Sequence, residues 1–187
     1  MPPVVYLTFD DGPDPTWTPQ VLDILNDFDA EATFFVLGQL AELRPGLIQR
    51  IGNEGHTIAN HGYDHTSMAG MSFSQFQWQV QATENAVRGA GGQIAPCLRP
   101  PYGAVDGNTW PFASMLGYEV VLWDVDPRDW ARPGAGAIAD RVVHNTGPGS
   151  VVLLHDGGID RSQTVQALRP ILQRLSDQGY RFEAMCT

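Results

Sequence analysis

The sequence predicts an α/β fold, a distorted (β/α) barrel of about seven parallel strands in a single domain spanning residues 1–187. Three observations predict it. Short runs rich in β-branched and aromatic residues recur at intervals of roughly 25 to 40 residues, each followed by a helical pattern, as in repeated βα units. No low-complexity tract, charge block or Pro/Ser linker divides the chain. Polar residues that interrupt the apolar pattern gather where the runs end, and in parallel α/β architectures the carboxyl ends of strands share one face. Periodicity alone does not separate a barrel from a doubly wound sheet. Polar residues at the ends of five runs favour the barrel, in which every strand end borders one mouth.

The elements follow in order. Val4–Phe9 reads as the first strand and runs into Asp10 and Asp11. Thr18 and Pro19 suit an N-cap and first helical position for a helix over Gln20–Phe28, with Val21, Leu22, Ile24, Leu25 and Phe28 on its apolar face. Ala32–Leu37 and His56–Asn60 are the next two strands, the second followed by His61 and His65. Ser72 with Gln75 forms a capping box that opens a longer helix reaching Arg88 and stopping at Gly89. Cys97–Arg99 leads to Tyr102, Tyr118–Trp123 leads to Asp126 and Asp129, and Val151–Leu154 leads to His155. A last helix from Ser162 to Gln178 ends at Gly179 and carries Val165, Leu168, Ile171, Leu172 and Leu175, before a final run at Tyr180–Phe182.

Composition narrows the partners. With 11 Lys+Arg against 21 Asp+Glu the formal charge is −10, which disfavours a phosphate backbone or an anionic membrane surface. Hydrophobic residues at 43% and charged residues at 17% describe a chain able to bury a core, and a monomer is expected. No apolar run approaches the ~20 residues of a membrane span. Met1-Pro2-Pro3-Val4 shows neither a basic n-region nor a cleavage site, so no signal peptide is expected in this sequence. Cys97 and Cys186 are too far apart for a Cys-x-x-Cys site, leaving either a bridge or two buried thiols.

Five segments carry chemistry. Asp10 and Asp11 are adjacent carboxylates directly after a buried strand, an arrangement that a nearby cation would relieve. His61 and His65, at i and i+4, would face one way on a helical turn, and a carboxylate from Asp11 completes a two-histidine, one-carboxylate set suited to hydrolytic zinc or non-haem Fe(II). His56 and His144 lack such partners and read as structural or solvated. Arg99-Pro100-Pro101-Tyr102-Gly103 is a proline-locked turn that could aim a guanidinium at a carboxylate beside backbone N–H groups able to receive an oxyanion. Trp123 and Trp130 bracket Asp124, Asp126 and Asp129, and Trp faces stack on sugar rings or wall a small apolar pocket. His155 ends the strand Val151–Leu154.

Taken in this order, from Thr8 to His155, the segments resemble the polysaccharide deacetylases of carbohydrate esterase family 4: Thr8-Phe9-Asp10-Asp11, His61 with His65, Arg99-Pro100-Pro101-Tyr102-Gly103, Asp126-Pro127-Arg128-Asp129-Trp130 and Leu153-Leu154-His155. Gly62 departs from the Ser or Thr common between the two histidines. The resemblance implies Zn²⁺ held by Asp11, His61 and His65, with Co²⁺ or Ni²⁺ as alternatives. It implies Asp10 as general base kept ionised by Arg99, and His155 as the acid at the leaving nitrogen, oriented by Asp129. Tyr102 would offer its backbone N–H to the oxyanion, and Trp130 with Leu153 would wall the acetyl methyl.

The resemblance further implies a polysaccharide substrate in an open groove, preferably N-acetylglucosamine in a β-1,4-linked chain such as chitin, chitooligosaccharide or peptidoglycan. Action would be extracellular or at the cell wall, the export signal having been trimmed from this sequence. O-deacetylation of acetylxylan would use the same residues. A non-catalytic carbohydrate-binding module would leave Asp10, Arg99 and His155 without work, and an Fe(II) oxygenase would need an oxo-acid co-substrate and leave the acid histidine idle.

Overall fold

A computed structural model describes residues 2–187. Seven parallel strands alternate with helices: β1 (Val4–Asp10), α1 (Trp17–Asp27), β2 (Thr33–Val36), α2 (Gly38–Leu43), α3 (Pro45–Asn53), β3 (Thr57–Asn60), α4 (Phe73–Gly89), β4 (Cys97–Leu98), α5 (Thr109–Met115), β5 (Glu119–Val120), α6 (Ala135–Asn145), β6 (Val151–His155), α7 (Ser162–Asp177) and β7 (Arg181–Phe182). The sheet order is β5-β4-β3-β2-β1-β6, and β7 pairs with the first residues of β1. The sheet curls until its outer strands are bridged. Val121 still donates to Leu98 on β4, whereas Asp124 and Val125 donate to Val151 and Leu153 donates to Val125, so one segment leaves β4 and arrives at β6. The result is the distorted (β/α) barrel expected, with all strands in one sheet.

Alternation along β1 sorts the two faces. Val5, Leu7 and Phe9 pack outward, with Phe34, Ile58, Val152 and Leu154, onto the apolar stripes of α1, α3, α6 and α7. A second buried group around Met68, Phe76, Val80 and Leu98 seats α4 and α5. The inward face is smaller, with Phe35, Ala59, Cys97 and Val121 meeting Met185 and Cys186 from the C-terminal segment. That segment closes the bottom of the barrel: Thr33 Oγ1 accepts from Met185 N–H at 2.9 Å, and a disulfide joins Cys97 to Cys186. Of the two cysteine alternatives the bridge is the one formed.

The capping box at Ser72 and Gln75 is present at the head of α4. Three expectations need correction. Helix α1 begins at Trp17 rather than Gln20 because Asp14, not Thr18, caps it: Asp14 Oδ1 accepts from Thr16 and Trp17 N–H at 2.7 and 3.0 Å. Thr18 is freed to donate its hydroxyl to Asp156. The run Tyr118–Trp123 is ladder-paired to β4 only over Glu119–Val120, since beyond that point the chain is crossing to β6. Finally, His61 and His65 do not lie on a helical turn. Gly62 at φ 78° and His65 at φ 65° turn the chain through the left-handed region instead. Gln79 pins that loop, accepting from Tyr63 N–H at 2.6 Å and donating to Asp64 Oδ1 at 2.8 Å. Gly62 suits this path, because a side chain at positive φ is strained and its Cβ would stand 3.3 Å from Gln79 Oε1.

Candidate active site

The carboxyl edge of the sheet brings the expected residues to one cavity of about 390 Å³, lined by Asp10, Asp11, His61, His65, Tyr102, Trp123, Trp130, Leu153, His155 and Arg161 among others. A larger cavity of about 570 Å³ lies at the bottom, beside His56 and Cys186, away from this cluster. Asp10 and His155 are opposite each other in the β1–β6 register, so both side chains point into the barrel from one level.

Asp10 is fixed from below. Arg99, wholly buried, donates from Nη1 to Asp10 Oδ1 at 2.8 Å and to Thr8 Oγ1 at 2.7 Å. Its Nε and Nη2 reach the carbonyls of Val121 and Leu122 at 3.2 and 2.9 Å. Those carbonyls belong to the segment that has left β4, so the guanidinium supplies donors that a strand neighbour no longer provides. Its planar fork also lies 4.1 Å from the Phe35 ring centroid.

Beside Asp10, three side chains converge. Asp11 Oδ1 lies 3.3 Å from His61 Nε2 and 3.0 Å from His65 Nε2. His61 Nδ1 is 2.6 Å from the Arg99 carbonyl, so its proton sits there and Nε2 keeps a lone pair towards the cluster. His65 Nδ1 is 3.1 Å from the Tyr102 hydroxyl. Burial pushes the Asp11 carboxyl up, but His61 and His65 outweigh it and hold it well below the usual carboxylate range. Asp11 (φ 74°), His65 (φ 65°) and Tyr102 (φ 63°) all occupy the left-handed region, strain of a kind that gathers at functional sites. Backbone crowding adds to it: a Cβ on Gly157 would stand 2.2 Å from the Asp11 carbonyl oxygen.

Do these residues fit a metal? Asp11 Oδ1 is buried and has no hydrogen-bond partner, an orphan acceptor aimed between two imidazole nitrogens. The three ligand atoms lie within 4.8 Å of one another. A divalent ion fits that N₂O donor set.

Across the cavity, His155 Nδ1 lies 2.7 Å from Asp129 Oδ1, while Asp129 Oδ2 accepts from His155 N–H and Thr164 Oγ1, both at 2.9 Å. Burial pushes the His155 imidazole down, yet the hydrogen bond and charge of Asp129, with Asp10 and Asp11 behind, leave it above the usual histidine range. Leu153 and Trp130 stand on the same wall, Leu153 buried and Trp130 half-exposed. The turn at Pro101–Gly103 uses the N–H groups of Gly103 and Ala104 in its own hydrogen bonds, and Tyr102 N–H takes no part in them. His56 is structural, its Nδ1 accepting from Ala32 N–H at 3.2 Å under a ring that burial holds below the usual range. His144 is exposed on α6.

Arg161 escaped the sequence reading. Its Nη2 lies 3.4 Å from Asp11 Oδ2, the oxygen turned away from the histidines, and its Nε donates to the Gly157 carbonyl at 2.6 Å. A signal was available: Arg161 precedes the first turn of α7, where the helix dipole disfavours a cation, so its charge has to be balanced elsewhere.

A carboxylate on one side of a prospective metal triad and a carboxylate–histidine pair on the other define an α/β barrel hydrolase site. Comparison with known proteins specifies it: the chain belongs to the polysaccharide deacetylase family, whose model matches residues 1–121. A peptidoglycan-N-acetylglucosamine deacetylase of Bacillus cereus is 45% identical over 96% of this chain and 84% of its own length. A chitooligosaccharide deacetylase of Sinorhizobium fredii is 41% identical over 95% of this chain and 88% of its own. Among solved structures, a family 4 carbohydrate esterase from Streptomyces lividans in complex with acetate superposes with a TM-score of 0.91 at 33% identity, covering 98% of this chain and 93% of that one.

Proposed function

We propose that the protein removes N-acetyl groups from N-acetylglucosamine residues of a β-1,4-linked glycan outside the cell or in the cell wall. The observation that carries the reading is the pairing across one cavity of Asp10, fixed by Arg99, with His155, fixed by Asp129. Asp11, His61 and His65 would hold Zn²⁺, which when bound polarises the acetyl carbonyl and acidifies water. Arg99 fixes Asp10 through Oδ1, which orients the carboxylate to take a proton from the attacking water. Tyr102 N–H faces the developing oxyanion as a preorganised donor. His155, whose affinity for a proton the hydrogen bond to Asp129 raises, delivers a proton to the departing nitrogen. An amine leaves poorly as its anion, whereas an acetyl ester leaves as an alkoxide with less help, so the His155–Asp129 pair favours the amide. Leu153 and Trp130 exclude water around the acetyl methyl.

Asp10→Asn should retain one equivalent of zinc and lose acetate release from chitooligosaccharides by at least a hundredfold, the scale of a lost general base. Near-parental turnover by that variant would remove Asp10 from the base role, and loss of zinc would show that the triad does not bind independently of it.

A further inference from the structure

Beside the His61–His65 loop lies a further cavity, of about 340 Å³, whose walls include Asp64, Thr66, Met71, Gln75 and Trp78. Trp78 projects from α4 and is 53% exposed, a large apolar surface to leave in water. It is not loose: its indole meets the Tyr63 ring edge-on at 5.1 Å between centroids, and Tyr63 is tied to Glu42 by its hydroxyl at 3.0 Å. Rigid exposed aromatics of this kind offer contact area at small entropic cost.

Two polar groups around the indole keep hydrogen-bonding capacity to spare. The hydrogen bonds that Asp64 accepts from Thr66 N–H and Gln79 Nε2 both end on Oδ1, which leaves acceptor capacity on Oδ2. Gln75 gives its Oε1 to the cap at Ser72, leaving its amide N–H groups for another partner. An aromatic platform beside a carboxylate oxygen and an amide donor is the chemistry that recognises a pyranose, with an apolar face for the ring and in-plane partners for its hydroxyls. The lining holds one carboxylate and no Lys or Arg, so it suits a neutral or amine-bearing sugar and disfavours one carrying a carboxylate. The cavity neighbours the catalytic one, since Asp64 in its wall directly precedes His65, which lines the other.

We infer that this cavity is an outlying sugar subsite in which a glucosamine or N-acetylglucosamine ring of the same glycan stacks on Trp78, giving the enzyme a preference for longer, uncharged or partly deacetylated chitooligosaccharides. The inference rests on the glycan reading above. Acetate release is measured for the parent, Trp78→Ala and Trp78→Phe on di-N-acetylchitobiose and on the pentamer, with thermal unfolding of each variant as a folding control. Trp78→Ala should raise KM for the pentamer about tenfold, leave kcat near the parental value and leave the dimer unaffected, as loss of a stacking contact away from the chemistry requires. Trp78→Phe should restore most of the loss. Binding of the pentamer to Asp10→Asn, with and without Trp78→Ala, gives the same comparison without turnover.

An unchanged pentamer-to-dimer ratio in Trp78→Ala overturns the subsite, and so does an equal loss on both substrates. A parent that releases acetate from neither oligomer overturns the glycan reading instead. If the parent then binds the pentamer through Trp78 without hydrolysing it, the subsite survives as a binding site.

Discussion

Arg99→Lys tests how far the interior depends on one guanidinium. Lysine keeps the positive charge beside Asp10 but replaces a planar fork with a point donor on a flexible stem. It can reach Asp10 Oδ1 or the carbonyls of Val121 and Leu122, but not all of them, because these acceptors surround Arg99 on opposite edges. Val121 is buried, so its stranded carbonyl costs about 1 to 3 kcal/mol; Leu122 lies nearer solvent and water recovers part of its loss. With the stacking on Phe35 also weakened, the expected destabilisation is about 2 to 4 kcal/mol, a sizeable share of the ~5 to 15 kcal/mol that keeps such a domain folded. Urea unfolding of the metal-free protein, followed by tryptophan fluorescence, reads it directly. A loss below about 1 kcal/mol would refute the reasoning, since it would mean the crossing segment does not need those donors.

The disulfide closes a loop with a sequence separation of 89, so Cys97→Ser should cost up to about 4 to 5 kcal/mol in the chain-entropy account, and reductant should cost the parent a similar amount; an effect under about 1 kcal/mol in urea unfolding would contradict it. Burial, reinforced by the charges of Asp11 and Asp10, pushes the Asp156 carboxyl from 3.8 up to about 7 against the opposing donor from Thr18. The folded state therefore holds that proton more tightly than the unfolded one, and its contribution, full below pH ~4, is lost as pH rises through about 7. Relative to the parent, metal-free Asp156→Asn should gain up to about 4 kcal/mol between pH 4 and 8; a difference independent of pH would sink the idea. Arg161→Gln should weaken zinc binding by roughly 10- to 100-fold in chelator competition, as loss of an outer partner to a ligating carboxylate does, and unchanged affinity would leave Arg161 with no part in holding Asp11.

Much of this was legible in the sequence because long elements announce themselves. The strand Val4–Asp10 and the helices headed by Ser72 and Ser162 carry their periodicity in local residues, and the Ser72 helix carries its cap there too. The cluster Asp11, His61 and His65 was legible because ordered segments, each at a strand end, must converge in a barrel. What failed was local conformation set from a distance. The turn between His61 and His65 depends on Gln79, fourteen residues beyond His65, and the break in the fifth strand depends on Arg99 across the barrel. Arg161 stayed hidden because its partner, Asp11, is 150 residues away.

Strand β4 is two residues long, too short for its ladder to fix its own height in the sheet. Cys97 within it is tethered to the C-terminal plug, and Arg99 just beyond it grips β1 and the crossing segment. The strand thus behaves as a tie-rod between floor and mouth, and the aim that β-pairing gives Asp10 is held in place by that rod. Slack introduced at the sulfur end is carried through two residues to the carboxylate end, whereas changes in the helices outside have no such lever.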